Sequence, residues 1–215
     1  MAKVIIFGVS DLAELAHYYL CHDSDHEVAG FTVTQDYLQA ENFCGLPVTP
    51  FEKIEERFAP DEYVMFIPMT GVNQNKTREH FYHAAKNKGY RLISYISSKA
   101  TVLTGRIGDN CFILEDNTIQ PFVTIGNNVV IWSGNHIGHH SIIKDHVFFT
   151  SHVVLSGHCT VEPYCFFGVN ATIRDGLTIA EGSFVAMATT LAKNTEKNGK
   201  YLPRERGVNN NVGGG

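Results

Sequence analysis

Stepping by six residues from Ile107, the chain reads Ile107, Ile113, Ile119, Ile125, Ile131, Ile137, Ile143, Phe149, Leu155, Val161, Phe167, Ile173, Ile179, Val185 and Leu191. All fifteen positions are apolar and nine are isoleucine. At average composition such a run has a chance on the order of 10⁻⁵. A period of six matches neither the 3.6 of a helix nor the 2 of an alternating strand. With the large aliphatic residue at position two of each hexad, position six is nearly always small, as at Cys111, Asn117, Val123, Ser141, Cys159 and Ala171. This pattern predicts a β-solenoid: a short strand, a turn, then a new face, with stacked coils sharing one core. Three hexads make a triangular coil, so the run predicts about five coils. Residues 98–195 are therefore expected to be a β-helix domain.

The first half has a different rhythm. Residues 3–8 form an apolar run ending in glycine, which predicts a buried strand. Ser10 is placed to cap a helix through Cys21, whose Leu12, Leu15, Ala16, Tyr19 and Leu20 share one face. Residues 27–33 predict a second strand. Thr49-Pro50-Phe51-Glu52 reads as a capping box opening a short helix to Phe58. Residues 63–68 predict a third strand, residues 75–87 a helix closed by Gly89, and residues 91–96 a fourth strand. Alternating strands and helices imply a small parallel, Rossmann-like sheet over residues 1–97. Ligands of such sheets sit beyond the carboxyl ends of the strands. That places residues 8–12, 31–34 and 68–73 around one crevice and makes Gly8, Ser10, Asp11, Phe31 and Thr32 candidate substrate contacts. A packing module with no ligand is the alternative.

The runs Ile107-Gly108-Asp109-Asn110, Ile125-Gly126-Asn127-Asn128 and Ile137-Gly138-His139-His140 resemble the hexapeptide repeat of left-handed parallel β-helix acyltransferases. With the α/β domain in front, nearly the whole chain is similar to sugar acetyltransferases of the PglD/NeuD/VioB type. That resemblance implies a homotrimer with active sites between subunits. It implies transfer of an acyl group, in the first instance from acetyl-CoA, to the nitrogen or oxygen of a sugar or nucleotide-linked amino sugar for surface polysaccharides. The first turn here, Gly8-Val9-Ser10-Asp11-Leu12-Ala13, has one glycine where the family has a glycine-rich turn with a histidine.

Of the 11 histidines, six fall between His136 and His158. Acyl transfer needs a base for the acceptor's proton and an N–H for the oxyanion, and histidine suits the first role. Ile137-Gly138-His139 matches the pattern that carries the family's general base, so the resemblance assigns that role to His139. His140 follows it where the family usually has an acid. The resemblance gives the Gly157 N–H to the thioester oxygen and sets Phe148 beside the thioester. Gly168, Val169 and Ala186 then follow the pantetheine and adenine, while Trp132, Ser133, Asn135 and His136 line the acceptor pocket. Trp132, the only tryptophan, has subunit packing as its other reading. His146 and His152 fall on other faces than His140 and read as turn polarity. His140 and His158 fall on the same face in adjacent coils, about 4.8 Å apart.

Composition narrows the competitors. Net charge is −5 without a basic stripe, which argues against nucleic acid and anionic membranes as partners. No apolar run approaches a membrane span, and the first residues do not read as a secretory signal. The five cysteines contain no CxxC pair and read as reduced, in a cytoplasmic protein. The γ-class carbonic anhydrases resemble this solenoid and hold zinc between three histidines, but their spacing of five is missing from His136 to His158, so no metal is expected. A non-catalytic scaffold is the remaining alternative. Serine acetyltransferases share the repeat but carry a helical N-terminal domain. Residues 196–215 read as a polar tail.

Overall fold

The computed structural model describes residues 1–203 apart from 72 and 74. The apolar run after Lys3 becomes β1 (Lys3–Phe7), with Val4, Ile5 and Ile6 sealed from solvent. A strand buried on both sides is what a parallel sheet between two layers requires. The chain continues through α1 (Asp11–His22), β2 (Glu27–Val33), β3 (Asn42–Phe43), β4 (Leu46–Pro50), β5 (Tyr63–Phe66), α2 (Lys76–Asn87) and β6 (Arg91–Leu92). The sheet order is β3-β4-β2-β1-β5-β6, parallel except for the β3–β4 pair. Leu12, Ala13, Ala16 and Leu20 of α1 cover one side of it. Phe51, Ile54, Phe58 and, from α2, Tyr82 and Ala85 cover the other.

Two local expectations fail. Thr49 and Pro50 end strand β4 and cap nothing. The Thr49 carbonyl accepts the Thr32 hydroxyl at 2.8 Å. Glu52 accepts the Gln35 N–H at 3.0 Å, and a 3₁₀ turn over Phe51–Glu56, kinked at Lys53, replaces the helix. The open edge of β2 offered a row of backbone partners, and a ladder satisfies more of them than one cap. The strand expected over 91–96 is also divided. Its first half is β6; its second, β7 (Tyr95–Ile96), leaves the sheet and pairs with Phe112–Ile113. Ser10 has the extended backbone of a cap, but its hydroxyl makes no cap bond; its carbonyl receives the Ala13 and Glu14 N–H groups.

The second half is a left-handed parallel β-helix. Its first face stacks the strands Thr101–Val102, Thr118–Ile119, His136–Ile137, Val154–Leu155, Thr172–Ile173 and Thr190–Leu191. The second stacks Thr124–Ile125, Ile142–Ile143, Thr160–Val161 and Thr178–Ile179. The third runs from β7 through Phe112–Ile113, Val130–Ile131, Phe148–Phe149, Phe166–Phe167 and Phe184–Val185 to Lys200–Tyr201. Its sheets thus extend beyond both 98 and 195. Fourteen of the fifteen hexad apolar residues are buried at 5% exposure or less, and Ile107 packs against the same core. The position-six residues are interior too, Cys111, Cys159 and Cys165 among them. Burial pushes the Cys111 thiol up to about 11 and that of Cys165 up to about 12, which leaves both unreactive at neutral pH.

Position five supplies the turn. Asn110, Asp116, Phe122, Asn128, His140, His146, His152, His158, Tyr164, Asn170 and Ala188 all have φ between 52° and 67°. Asparagine and histidine tolerate this left-handed region better than most residues, so these histidines stand at corners for a backbone reason.

The third face carries the α/β domain. Phe112, Val130 and Phe148 share one core with Val4, Ile6, Phe31, Phe66 and the buried face of α1. No helix among the described residues is long and apolar enough to cross a bilayer. The expected tail from 204 onward lies outside the described residues.

Candidate active site at the first coil corner

Between the first and second faces the chain turns through Gly138-His139-His140-Ser141, and one coil later through Ser156-Gly157-His158-Cys159. Coil stacking sets the two turns face to face. The His158 N–H donates to the His139 carbonyl at 2.9 Å, and the Ser141 hydroxyl accepts the Cys159 N–H at 3.2 Å. A Cβ on Gly138 would lie 2.4 Å from the Gly157 nitrogen, so this close approach of two backbones admits only glycine there.

His139 lies over Gly157. A Cβ on Gly157 would sit 2.9 Å from His139 Cε1 and 3.0 Å from Nε2. The Gly157 N–H has no protein acceptor among the described residues. The His139 N–H is held by Gln120 Oε1 at 2.9 Å, and its Nδ1 lies 3.1 Å from Nδ1 of His140. Two ring nitrogens at that distance share one proton, one donating and one accepting. His140 stacks on His158 with ring centroids 4.9 Å apart and 13° between planes, and against Phe122 at 4.7 Å. His158 meets His139 edge to face at 4.9 Å. The fold thus gathers His139, His140 and Gly157, and it adds His158. The spacing of 18 residues between His140 and His158 was the available signal for the third ring.

The remaining expected residues lie elsewhere. Phe148 does not line this corner. It is 4% exposed on the third face, under the α/β domain, stacked on Phe166 with the Arg78 guanidinium 5.5 Å from its ring centre. Asn135 does not line a pocket. It is interior, where its Oδ1 accepts the Val153 N–H at 2.7 Å and its backbone N–H donates to Asn117 Oδ1 at 2.9 Å. Asn117 and Asn135 form a ladder that turns the chain between the third and first faces. Gly168, Val169 and Ala186 follow third-face strands at that same third-to-first corner, as do Trp132 and Ser133, and His136 lies in a first-face strand. Trp132 packs against the α/β core. Ser133 donates to Glu115 at 2.7 Å, and Tyr19 of α1 donates to the same carboxylate at 2.7 Å.

In the α/β crevice, Gly8 has φ +118° and its N–H is taken by the Thr32 carbonyl at 2.8 Å, while Ser10 and Asp11 are exposed. Phe31 and Thr32 are withdrawn from the crevice: both are fully buried, Phe31 in the α1 core and Thr32 bonded to β4. A sequence reading also had no means of finding Arg78. It is fully buried on α2 and donates to the Val147 carbonyl at 3.2 Å and the Met69 carbonyl at 3.5 Å, while Nε has no partner among the described residues. Burial pulls it down to about 9, still charged at neutral pH.

The crevice borders the third face, because Gly71, beyond β5, lies against Phe166: a Cβ there would be 3.1 Å from its ring. The His139 corner is the prism edge opposite that face.

The family described as bacterial transferase hexapeptide (six repeats) matches residues 104–139 and 122–157. Among solved structures, the acetyltransferase domain of PglB from Neisseria gonorrhoeae is 16% identical, with a TM-score of 0.79 over 95% of this chain and 100% of that one. A mutant of perosamine N-acetyltransferase from Caulobacter crescentus, in complex with CoA and GDP-perosamine, is 18% identical with a TM-score of 0.80 over 96% of this chain and 98% of that one. WeeI from Acinetobacter baumannii is 18% identical with a TM-score of 0.77 over 93% and 96%. These likenesses establish the fold over both domains.

Proposed function

We propose that this chain is an acyl-CoA-dependent acyltransferase. It moves an acyl group, in the first instance acetyl, to an amine or hydroxyl of a sugar, carried on a nucleotide. It acts as a cytoplasmic homotrimer in surface polysaccharide synthesis. The observation that carries this reading is the His139 imidazole held over Gly157, beside a backbone N–H without a protein acceptor. The complex of the similar perosamine N-acetyltransferase with CoA and GDP-perosamine supports the substrate classes.

The chemistry needs no acyl-enzyme. The acceptor's nitrogen or oxygen adds to the thioester carbonyl as His139 takes its proton. Collapse of the resulting tetrahedral oxyanion breaks the carbon–sulfur bond and releases the CoA sulfur as thiolate, which takes up a proton. His139 Nδ1 donates to His140 Nδ1 in the productive tautomer, which leaves the lone pair of Nε2 for that proton. The opposite tautomer would put a hydrogen on Nε2 and disable the base. The Gly157 N–H stabilises the oxyanion. The same geometry supports a site shared between copies, as in the homotrimer proposed. Crevice and His139 stand on opposite sides of the prism, so the acceptor held by one copy is acylated at the corner of its neighbour, and pantetheine runs between them past Gly168, Val169 and Ala186.

Replacing His139 by Ala should lower kcat by about 10²–10⁴-fold with acetyl-CoA and an amino-sugar nucleotide. A loss below about tenfold removes its role as base. Calorimetry supplies the prior test: wild type should bind acetyl-CoA and Gly157→Trp should not. Wild type that fails to bind acetyl-CoA overturns the whole reading.

A further inference from the structure

Two clusters among the described residues have three metal-capable side chains whose ligand atoms lie within 4.8 Å of one another: His139, His140 and His158, and Glu79, His83 and His146. Their hydrogen-bond surroundings separate them. In the second, the Ile67 N–H donates to Asn110 Oδ1 at 2.9 Å. A backbone N–H can only donate, so this bond fixes the Asn110 amide with its nitrogen toward Asn128 Oδ1, at 2.8 Å. That in turn fixes Asn128 with its nitrogen toward His146 Nδ1, again at 2.8 Å. Nδ1 of His146 is thereby an acceptor, and the neutral ring carries its hydrogen on Nε2, the nitrogen that faces Glu79 Oε1 at 3.9 Å. An ion on Nε2 would require reversing the whole ladder against the Ile67 N–H.

No such ladder restrains the first cluster. Its three rings are exposed, and among the described residues none hydrogen-bonds to a carboxylate. Two imidazoles of one turn and a third from the next coil face one another. His140 and His158 are both fixed at left-handed corners with φ 58°. Zinc bound to imidazoles at about 2.0–2.1 Å needs nitrogens roughly 3.4 Å apart. One edge of the triangle is already 3.1 Å and the others lie within 4.8 Å, and an ion closes it by turning the exposed His140 and His158 rings out of their 13° stack. Three imidazoles leave a fourth position for water, and this donor set suits borderline divalent ions, zinc first.

We propose that His139, His140 and His158 form a binding site for a divalent transition-metal ion of the zinc class. A neutral imidazole has one free ring lone pair, so an ion on His139 takes the electrons that would accept the proton, and metal binding and proton acceptance by His139 exclude each other. The site is a metal-sensitive brake on acyl transfer. Only that last consequence rests on the acyltransferase reading.

The test uses the untagged full chain in metal-free buffer. Calorimetric titration with Zn²⁺ should give one ion per chain, with an affinity of about micromolar or tighter. Co²⁺ should develop the visible ligand-field band of a tetrahedral site. His158→Asn keeps a residue that accepts the left-handed corner, as Asn110, Asn128 and Asn170 do. It should weaken Zn²⁺ binding by more than about 100-fold, beyond the cost of losing an outer partner. Glu79→Gln should leave binding intact. Zn²⁺ should inhibit acetyl transfer by wild type and spare the His158→Asn protein. Wild type without a single tight site overturns the proposal. So do equal affinity in His158→Asn, and loss of binding in Glu79→Gln. Metal binding is read without turnover, so a chain that binds Zn²⁺ as described but no acetyl-CoA refutes acyl transfer alone.

Discussion

His146 offers a measurement whose sign and size follow from its place at the second corner of the coil. The ring is 6% exposed, Nδ1 accepts the Asn128 amide at 2.8 Å, and Glu79 stands 3.9 Å from Nε2. Burial, partly countered by Glu79 and Asp145, lowers it from 6.5 to about 4. A proton arriving on Nδ1 would also set a donor against the Asn128 N–H. The unfolded chain accepts that proton below pH 6.5, and the folded chain refuses it until about pH 4. The stability linked to this residue is therefore whole above pH 6.5 and is lost as pH falls toward 4. Its slope approaches 1.36 kcal/mol per pH unit, so the residue accounts for roughly 2 kcal/mol between pH 7 and 5. His146→Asn removes the titration and keeps a side chain that accepts φ 62°. Urea unfolding of both proteins at pH 7, 6 and 5 should show wild type losing about 2 kcal/mol more than the variant. The ring proton of His146 should titrate near pH 4 by NMR. Parallel stability curves, or a midpoint near 6.5, would refute the account.

Three further outcomes are expected. Arg78→Met keeps the volume of a fully buried side chain whose Nε is unpartnered. It should be neutral or stabilising in chemical denaturation, whereas a loss of 3 kcal/mol or more, on the scale of a broken buried pair, would show the charge to be needed. Gly157→Ala sets a Cβ 2.9 Å from His139 Cε1. The displaced ring should cost about 10²-fold in kcat with the melting temperature little changed, and an unaffected rate would separate Gly157 from the base. Phe149 is fully buried and stacks on Phe167 at 4.5 Å. Phe149→Ala should cost about 3–5 kcal/mol, and a loss under 1 kcal/mol would mean the coils collapse into the gap.

The repeat was legible because each hexad solves the same local problem. An interior aliphatic, a small corner residue and a left-handed turn must recur in sequence if coils are to stack, and Ile113, Cys111 and Asn110 each carry one of those demands. His139, His140 and Gly157 were singled out by the resemblance, and an 18-residue coil is what brings them together. The same arithmetic placed His140 beside His158. Residues pointing outward carry no such constraint. Phe148 and Ile142 occupy equivalent hexad positions, yet Phe148 is 4% exposed and Ile142 46%, because the α/β domain covers the third face and none of the described residues covers the second.

By itself, then, the sequence determined the two architectures and the coil corners, since each is set by local demands on the backbone, and the chemistry at the His139 corner came from the resemblance alone. Tertiary structure decided what periodicity does not encode. It took Thr49 for a sheet edge instead of a helix cap, and divided residues 91–96 between two sheets. It buried Arg78 between domains. In each case a long-range partner, an open strand edge or an uncovered apolar face, outbid the local signal.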